Sequence, residues 1–244
     1  MKRVFLGFAL VISLHSMSQG RISDHNDIEW LNTTITKHLS DRFSGSVEYN
    51  WRRTDWFKNG QQGELKAGIN YAVNDQLNAQ LSYTWNTIFP YGDYNLSSIP
   101  KPFTEHSISE QVTVTAKMGR ATLASRFRLD QKWSGRYTDI NSAHTDYWLY
   151  FNKARYLGRL DIPVCKQFTA SASDEIIMSF GKNVGENVFD QNRLIFLAVH
   201  KISPSLKIEA GTIFQVIELG REVNSKNVFQ YNSGLVLNTI LQLK

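Results

Sequence analysis

The 244-residue chain has a single cysteine, Cys165, so no disulfide can form within it. Beyond the N-terminus no segment reaches the roughly 20 apolar residues of a membrane-spanning helix. His25, His38, His144 and His200 are isolated and lack the paired spacing of a zinc site. There is no phosphate-cradling glycine loop and no dinucleotide fingerprint. The formal charge is only +5, and loss of Lys2 and Arg3 with a leader would leave +3, with no basic block. Such a balance is too weak to point to nucleic acid. These absences exclude a disulfide scaffold and a helical membrane protein, and they leave no metal or cofactor to expect. Mean hydropathy is also low, −0.32. That does not exclude a membrane barrel, whose strands carry a polar residue at every second position.

What is present is alternation. Residues 120–133 read RATLASRFRLDQKW. One set of alternate positions is Arg120, Thr122, Ala124, Arg126, Arg128, Asp130 and Lys132. The other is Ala121, Leu123, Ser125, Phe127, Leu129, Gln131 and Trp133. Side chains alternate across a strand, so this is a ribbon with one charged face and one mostly apolar face. A helix would mix Arg126 and Asp130 with Leu123 and Phe127. The run exceeds the about 5–6 residues of a typical strand and suits the about 9–11 of a tilted membrane-spanning one.

The N-terminus carries an export signal. Lys2 and Arg3 precede an apolar core at 4–14 (VFLGFALVISL), and Ser16-Met17-Ser18 supplies small residues at a cleavage site. The expected division is a signal peptide at 1–18, an N-terminal extension at 19–27 and one barrel domain at 28–244. Gly20 is the alternative end of the leader.

Most of the remaining chain repeats the ribbon design. The clearest hairpin joins Leu65, Ala67, Ile69, Tyr71 and Val73 to Leu77, Ala79, Leu81, Tyr83 and Trp85 through a turn at Asn74-Asp75. Short turns alternate with longer polar connections, predicted at 54–62, 87–103, 134–146, 181–188 and around Gly220. Aromatic residues gather beside the long connections. Trp51, Trp85, Trp133, Tyr147 and Trp148 predict a girdle at one membrane–water interface. About eleven strands result, the first at 28–39. With long loops outside, an odd count would close through a parallel seam, whereas bacterial single-chain barrels usually have an even count. Either the first strand lies outside the wall or one strand is miscounted. The expectation is an all-β, antiparallel transmembrane barrel of about 10–12 strands in the outer membrane. Its partners would be outer-membrane lipids and, during biogenesis, the barrel assembly machinery.

The runs EH…Q (Glu105, His106, Gln111), SRFRLDQ (125–131), RYLGRLDIPV (155–164), SDEI (173–176) and FDQNRL (189–194) resemble domain-of-unknown-function family 2490. This is a group of exported barrel-like proteins found largely in Bacteroidetes. Ser107, directly after His106, departs from the family pattern. The resemblance covers the chain from Trp30 onward and implies an outer-membrane barrel, with no activity to carry over.

In a barrel the inward set includes Glu48, Arg52, Glu64, Lys66, Arg126, Arg128, Asp130, Arg155, Arg159, Asp161, Glu175, Arg193 and Glu209. Charges of both signs on facing strands can pair across the lumen and plug it. A narrow path lined by several arginines would instead favour anions. The one local cluster suited to catalysis is His106 with Ser107 or Ser109 and Glu105 or Glu110, as a lipid hydrolase or acyltransferase would need. Both serines lie opposite in parity to His106, so no catalytic residues are expected. A soluble periplasmic lipocalin-like carrier is the remaining alternative.

Overall fold

A computed structural model describes residues 20–185 and 188–243. The leader predicted at 1–18 lies outside the described residues. Eleven strands follow one another along the chain. They are β1 (Ile22–His38), β2 (Phe43–Thr54), β3 (Asn59–Ala72), β4 (Leu77–Ile88), β5 (Phe103–Met118) and β6 (Ala121–Arg136). Then come β7 (Tyr147–Pro163), β8 (Phe168–Phe180), β9 (Phe189–Lys201), β10 (Leu206–Val223) and β11 (Lys226–Leu243). Each pairs antiparallel with its sequence neighbour, and β1 closes the barrel against β11.

The closure settles the parity question differently from either sequence-based option. All eleven strands are in the wall, and β1 runs parallel to β11 from Ile22↔Val228 to Lys37↔Leu243. Strand β1 begins at Ile22, ahead of the predicted start at Ile28. Residues 22–27, expected as an extension before the barrel, pair instead with residues 228–233 of β11.

Two predicted long connections are tight hairpins. At 54–62 only residues 55–58 leave the sheet. Asp55, Trp56 and Phe57 there all have left-handed backbones, with φ of 56°, 54° and 67°. The Glu29 carboxylate accepts hydrogen bonds from the N–H groups of Trp56 (3.1 Å) and Phe57 (3.2 Å), which holds that costly conformation. Near Gly220 the strand does not stop. β10 continues to Val223 and turns at Asn224 and Ser225, both with positive φ, as a two-residue hairpin of the I′ kind requires. The long connections that remain, 89–102, 137–146 and the one between β8 and β9, leave the wall at one end of the barrel.

The two faces of the wall are inverted relative to a soluble barrel, which packs apolar residues inward. Val47, Leu65, Ile69, Leu81, Val112, Phe127 and Phe214 are exposed on the outside. Glu105, Arg128, Asp130, Glu175, Glu209 and Gln230 are buried inside.

The interior is not polar throughout. Ile28 and Trp30 of β1, Leu197 and Val199 of β9, Ile213 of β10 and Val236 of β11 form a buried apolar cluster, with Ile195 packed on it. The wall folds sharply beside that cluster. A Cβ on Gly211 would lie 1.9 Å from the Phe196 carbonyl oxygen, and one on Gly234 would lie 1.7 Å from that of Ile28. Only glycine permits so close an approach of neighbouring strands.

Candidate functional site

The candidate site is the lumen. The charged residues predicted to face it do so, because the β-bulges of the wall, after Arg52, Ile177 and Glu218, lie outside the stretches that carry them. They also find one another across strands. Asp130 is fully buried at the centre; Arg128 Nε lies 2.5 Å from its Oδ1 and Arg155 Nε lies 2.6 Å from its Oδ2. Arg128 also donates to Ser109 Oγ at 3.0 Å. Glu175 receives Arg126 at 2.8 Å and Arg193 at 3.3 Å. Glu209 receives Arg159 at 2.9 Å and Lys207 at 3.0 Å, while Arg159 also pairs with Asp161 at 2.9 Å. Lys66 and Glu48 meet at 2.9 Å. Glu64 is held by Asn50 (2.7 Å), and Arg52 donates to Gln62 (2.7 Å).

Sequence reasoning missed further members. Lys132 lies 2.5 Å from Glu105, which also accepts from Ser134 at 2.8 Å. Lys153 reaches Asp190 at 2.6 Å. The inward parity of Glu105, Lys132 and Lys153 was readable from the same alternation, since Lys132 shares the face of Arg128 and Asp130. Asp190 was not: it has the parity opposite to Gln191 and Arg193 and turns inward at a β-bulge, where Ile177 pairs with Gln191 and Met178 with Phe189. Trp30 lies opposite in parity to Leu31 and Ile35, so its inward face was readable too. Its ring points inward with the Arg52 guanidinium 4.0 Å and the Arg193 guanidinium 5.2 Å from the ring centroid, and its Nε1 donates to Gln61 at 2.8 Å. Stacked cations of this kind are attracted by the ring quadrupole.

The 89–102 connection folds over the lumen at its own end of the barrel. Tyr91 is buried; its hydroxyl donates to Gln230 and accepts from Asn232, both at 3.1 Å. Burial raises the Tyr91 phenol above its ordinary pKa. Gly92, at φ +69°, packs so tightly that a Cβ would come within 2.5 Å of Asp24 Oδ2. Gln230 donates to the Tyr94 carbonyl (2.8 Å) and Arg221 to that of Asn95 (2.8 Å). The next long connection is tied to this one, because Lys101 Nζ donates to the carbonyls of Ile140 and Ser142.

Four of the five predicted girdle residues, Trp51, Trp85, Trp133 and Trp148, lie outside; Tyr147 has the parity of Lys153 and Arg155 and pairs with Arg136, so it belongs to the inward face at the rim. Trp85, His106, Trp133 and Tyr150 are successive cross-strand partners, and Trp148 pairs with Gly135 one step higher. Trp51, Trp85, Tyr147 and Trp148 are exposed, and Trp133 packs on Tyr150 with centroids 5.3 Å apart. His106 belongs to this outer row. Its Nδ1 lies 2.6 Å from the Tyr83 hydroxyl, whereas Ser107 and Ser109 are buried in the lumen. The wall therefore separates the imidazole from both hydroxyls, and no triad assembles there.

The family model described as "Protein of unknown function (DUF2490)" matches residues 29–226. The chain belongs to this family. No curated protein matches this DUF2490 chain. Among solved structures it is similar to one described as a NanC porin, at 13% identity and a TM-score of 0.50, over 86% of this chain and 91% of that one. A likeness at that identity concerns the barrel fold alone.

Proposed function

We propose that this DUF2490 protein is an outer-membrane β-barrel, exported on a leader cleaved near Ser18, that works without catalysis. Its lumen is held nearly shut by the paired charges and passes at most small solutes, with a bias toward anions. The observation that carries this reading is the inversion of the two faces: an apolar outer wall beneath an aromatic row, around an interior of buried ion pairs. A lipid-facing wall must be apolar, and a closed sheet leaves no backbone group unpaired in hydrocarbon. The likeness to a protein described as a porin supports the same placement. The anion bias follows from Arg52 and Arg193, whose guanidiniums gather over the inward Trp30 ring. Lipids and the assembly machinery of outer-membrane barrels are the partners this reading requires.

Cell fractionation tests the placement. The mature protein should sediment with outer membranes, need detergent for extraction, and migrate differently on gels before and after heating. Recovery as a soluble periplasmic protein without detergent would replace this reading with that of a soluble carrier.

A further inference from the structure

The outer wall is not evenly convex. A groove of about 660 Å³ crosses it from β1 to β5. Its floor is made by Gly45 of β2 and Ala67 of β3, the two smallest side chains in their rows. Ile35, Val47, Leu81 and Ile108 stand along its flanks. The rows that build it are Lys37↔Gly45↔Ile69↔Leu81 and Ile35↔Val47↔Ala67↔Tyr83↔Ile108. Five strands at about 4.8 Å spacing cover roughly 19 Å. That is close to the roughly 15 Å of one leaflet of a ~30 Å hydrocarbon core.

One end of the groove is charged. Lys37 lines it where β1 reaches the short-turn end of the barrel. Arg42, in the turn that follows, donates to the Tyr71 hydroxyl at 3.3 Å, and Tyr71 packs on Phe43 with centroids 4.9 Å apart. Lys37 and Arg42 are exposed and make no ion pair among the described residues. The one carboxylate of that turn is Asp41. Two cations without an ion-pair partner and an amphipathic ring thus lie on the short-turn side of the apolar trough.

We infer that this groove holds one phospholipid of the periplasmic leaflet, with its phosphodiester on Lys37 and Arg42 and an acyl chain over Gly45 and Ala67. The inference rests on the membrane placement proposed above and is independent of how open the lumen is. An acyl chain fits because the trough is apolar along its length, and a phosphate fits because the cations lie at one end only.

The test is native mass spectrometry of the mature, refolded protein in non-ionic detergent, titrated with phosphatidylglycerol. Wild type should take up one lipid ahead of all others. Lys37→Glu should weaken phosphatidylglycerol about tenfold, as loss of one charge-assisted contact predicts. A diacylglycerol with the same chains, which loses the contacts to both Lys37 and Arg42, should bind more weakly still. Gly45→Leu should abolish the preferred adduct. The variant has room to fold, because a Cβ at Gly45 meets only Leu39 Cδ1, at 3.8 Å. Ala67→Phe fills the same trough from the next strand, and heat-modified gel mobility reports whether each variant is folded. Folded variants that keep the wild-type adduct would overturn the assignment, as would a dimer mass in its place. A chain soluble without detergent would end the membrane reading instead, and is recognised before any lipid is added.

Discussion

Asp130, Glu175 and Glu209 each serve two cations of the interior, and Asp130 is the most deeply buried of the three. It is fully buried and serves two guanidiniums, those of Arg128 and Arg155. Removing one member of a buried ionic group costs about 3–5 kcal/mol, because the partners left behind stay desolvated. Asp130→Ala should therefore lower the unfolding free energy by that much, read as a lower midpoint in urea, and Lys37→Ala on the outer wall should leave it unchanged. Equal midpoints for Asp130→Ala and wild type would mean that the network is decorative. Asp146 carries a separate, pH-dependent contact. In the 137–146 connection it accepts from the Thr138 N–H (2.7 Å), the Thr138 hydroxyl (2.8 Å) and the Ser142 hydroxyl (2.8 Å). The Thr138 N–H contributes most to holding its pKa below the usual carboxylate value. A carboxylate lowered in the folded state stabilises it above the unfolded pKa, near 3.9, and that contribution is lost as pH falls through the folded value. Amide exchange at Thr138 should be slow at neutral pH and accelerate only under strongly acidic conditions. Acceleration already near pH 6 would contradict that assignment.

The strands show what alternation can and cannot reveal. The pairing of β3 with β4 and of β5 with β6, and every predicted inward charge, follow from period-two reading alone, because one face is charged and the other apolar. Even where both faces are apolar, at residues 194–199 (LIFLAV), parity with Arg193 puts Ile195, Leu197 and Val199 inward; what it does not reveal is that they meet Trp30 and Ile213 in an apolar cluster. The same reading misplaces turns that contain no glycine or proline. The left-handed turn at 55–57 is held by Glu29, a tertiary partner that no local signal announces, whereas the hairpin at Asn224-Ser225 has only Asn224 as a local cue. The odd strand count already implied a parallel seam if the barrel closes, but no local signal says that β1 is the edge that meets β11. Cysteines at Asn26 and Asn232 test it. These residues are register partners, with the Asn26 amide donating to Asn232 at 3.1 Å, and neighbouring strands suit a disulfide, whose Cα atoms lie about 4.4–6.8 Å apart. In a Cys165→Ser background, Asn26→Cys with Asn232→Cys should cross-link on oxidation. A pair that stays reduced in folded protein would place β1 elsewhere.

At the scale of the whole molecule the barrel is lopsided. β9, β10, β11 and β1 press an apolar cluster into the lumen, while β5 to β9 carry most of the ion pairs, and the 89–102 connection covers one mouth. Side chains can nearly fill the interior of a small barrel, and here both halves contribute to doing so. The central claim is that this filling leaves no wide pore. Single-channel recording of the refolded protein in a planar bilayer, under anion and cation gradients, tests it most directly. Wild type should be silent or show small, anion-biased steps, and the bias should fall in Arg193→Gln. Large, stable, unselective steps from wild-type protein would contradict the account.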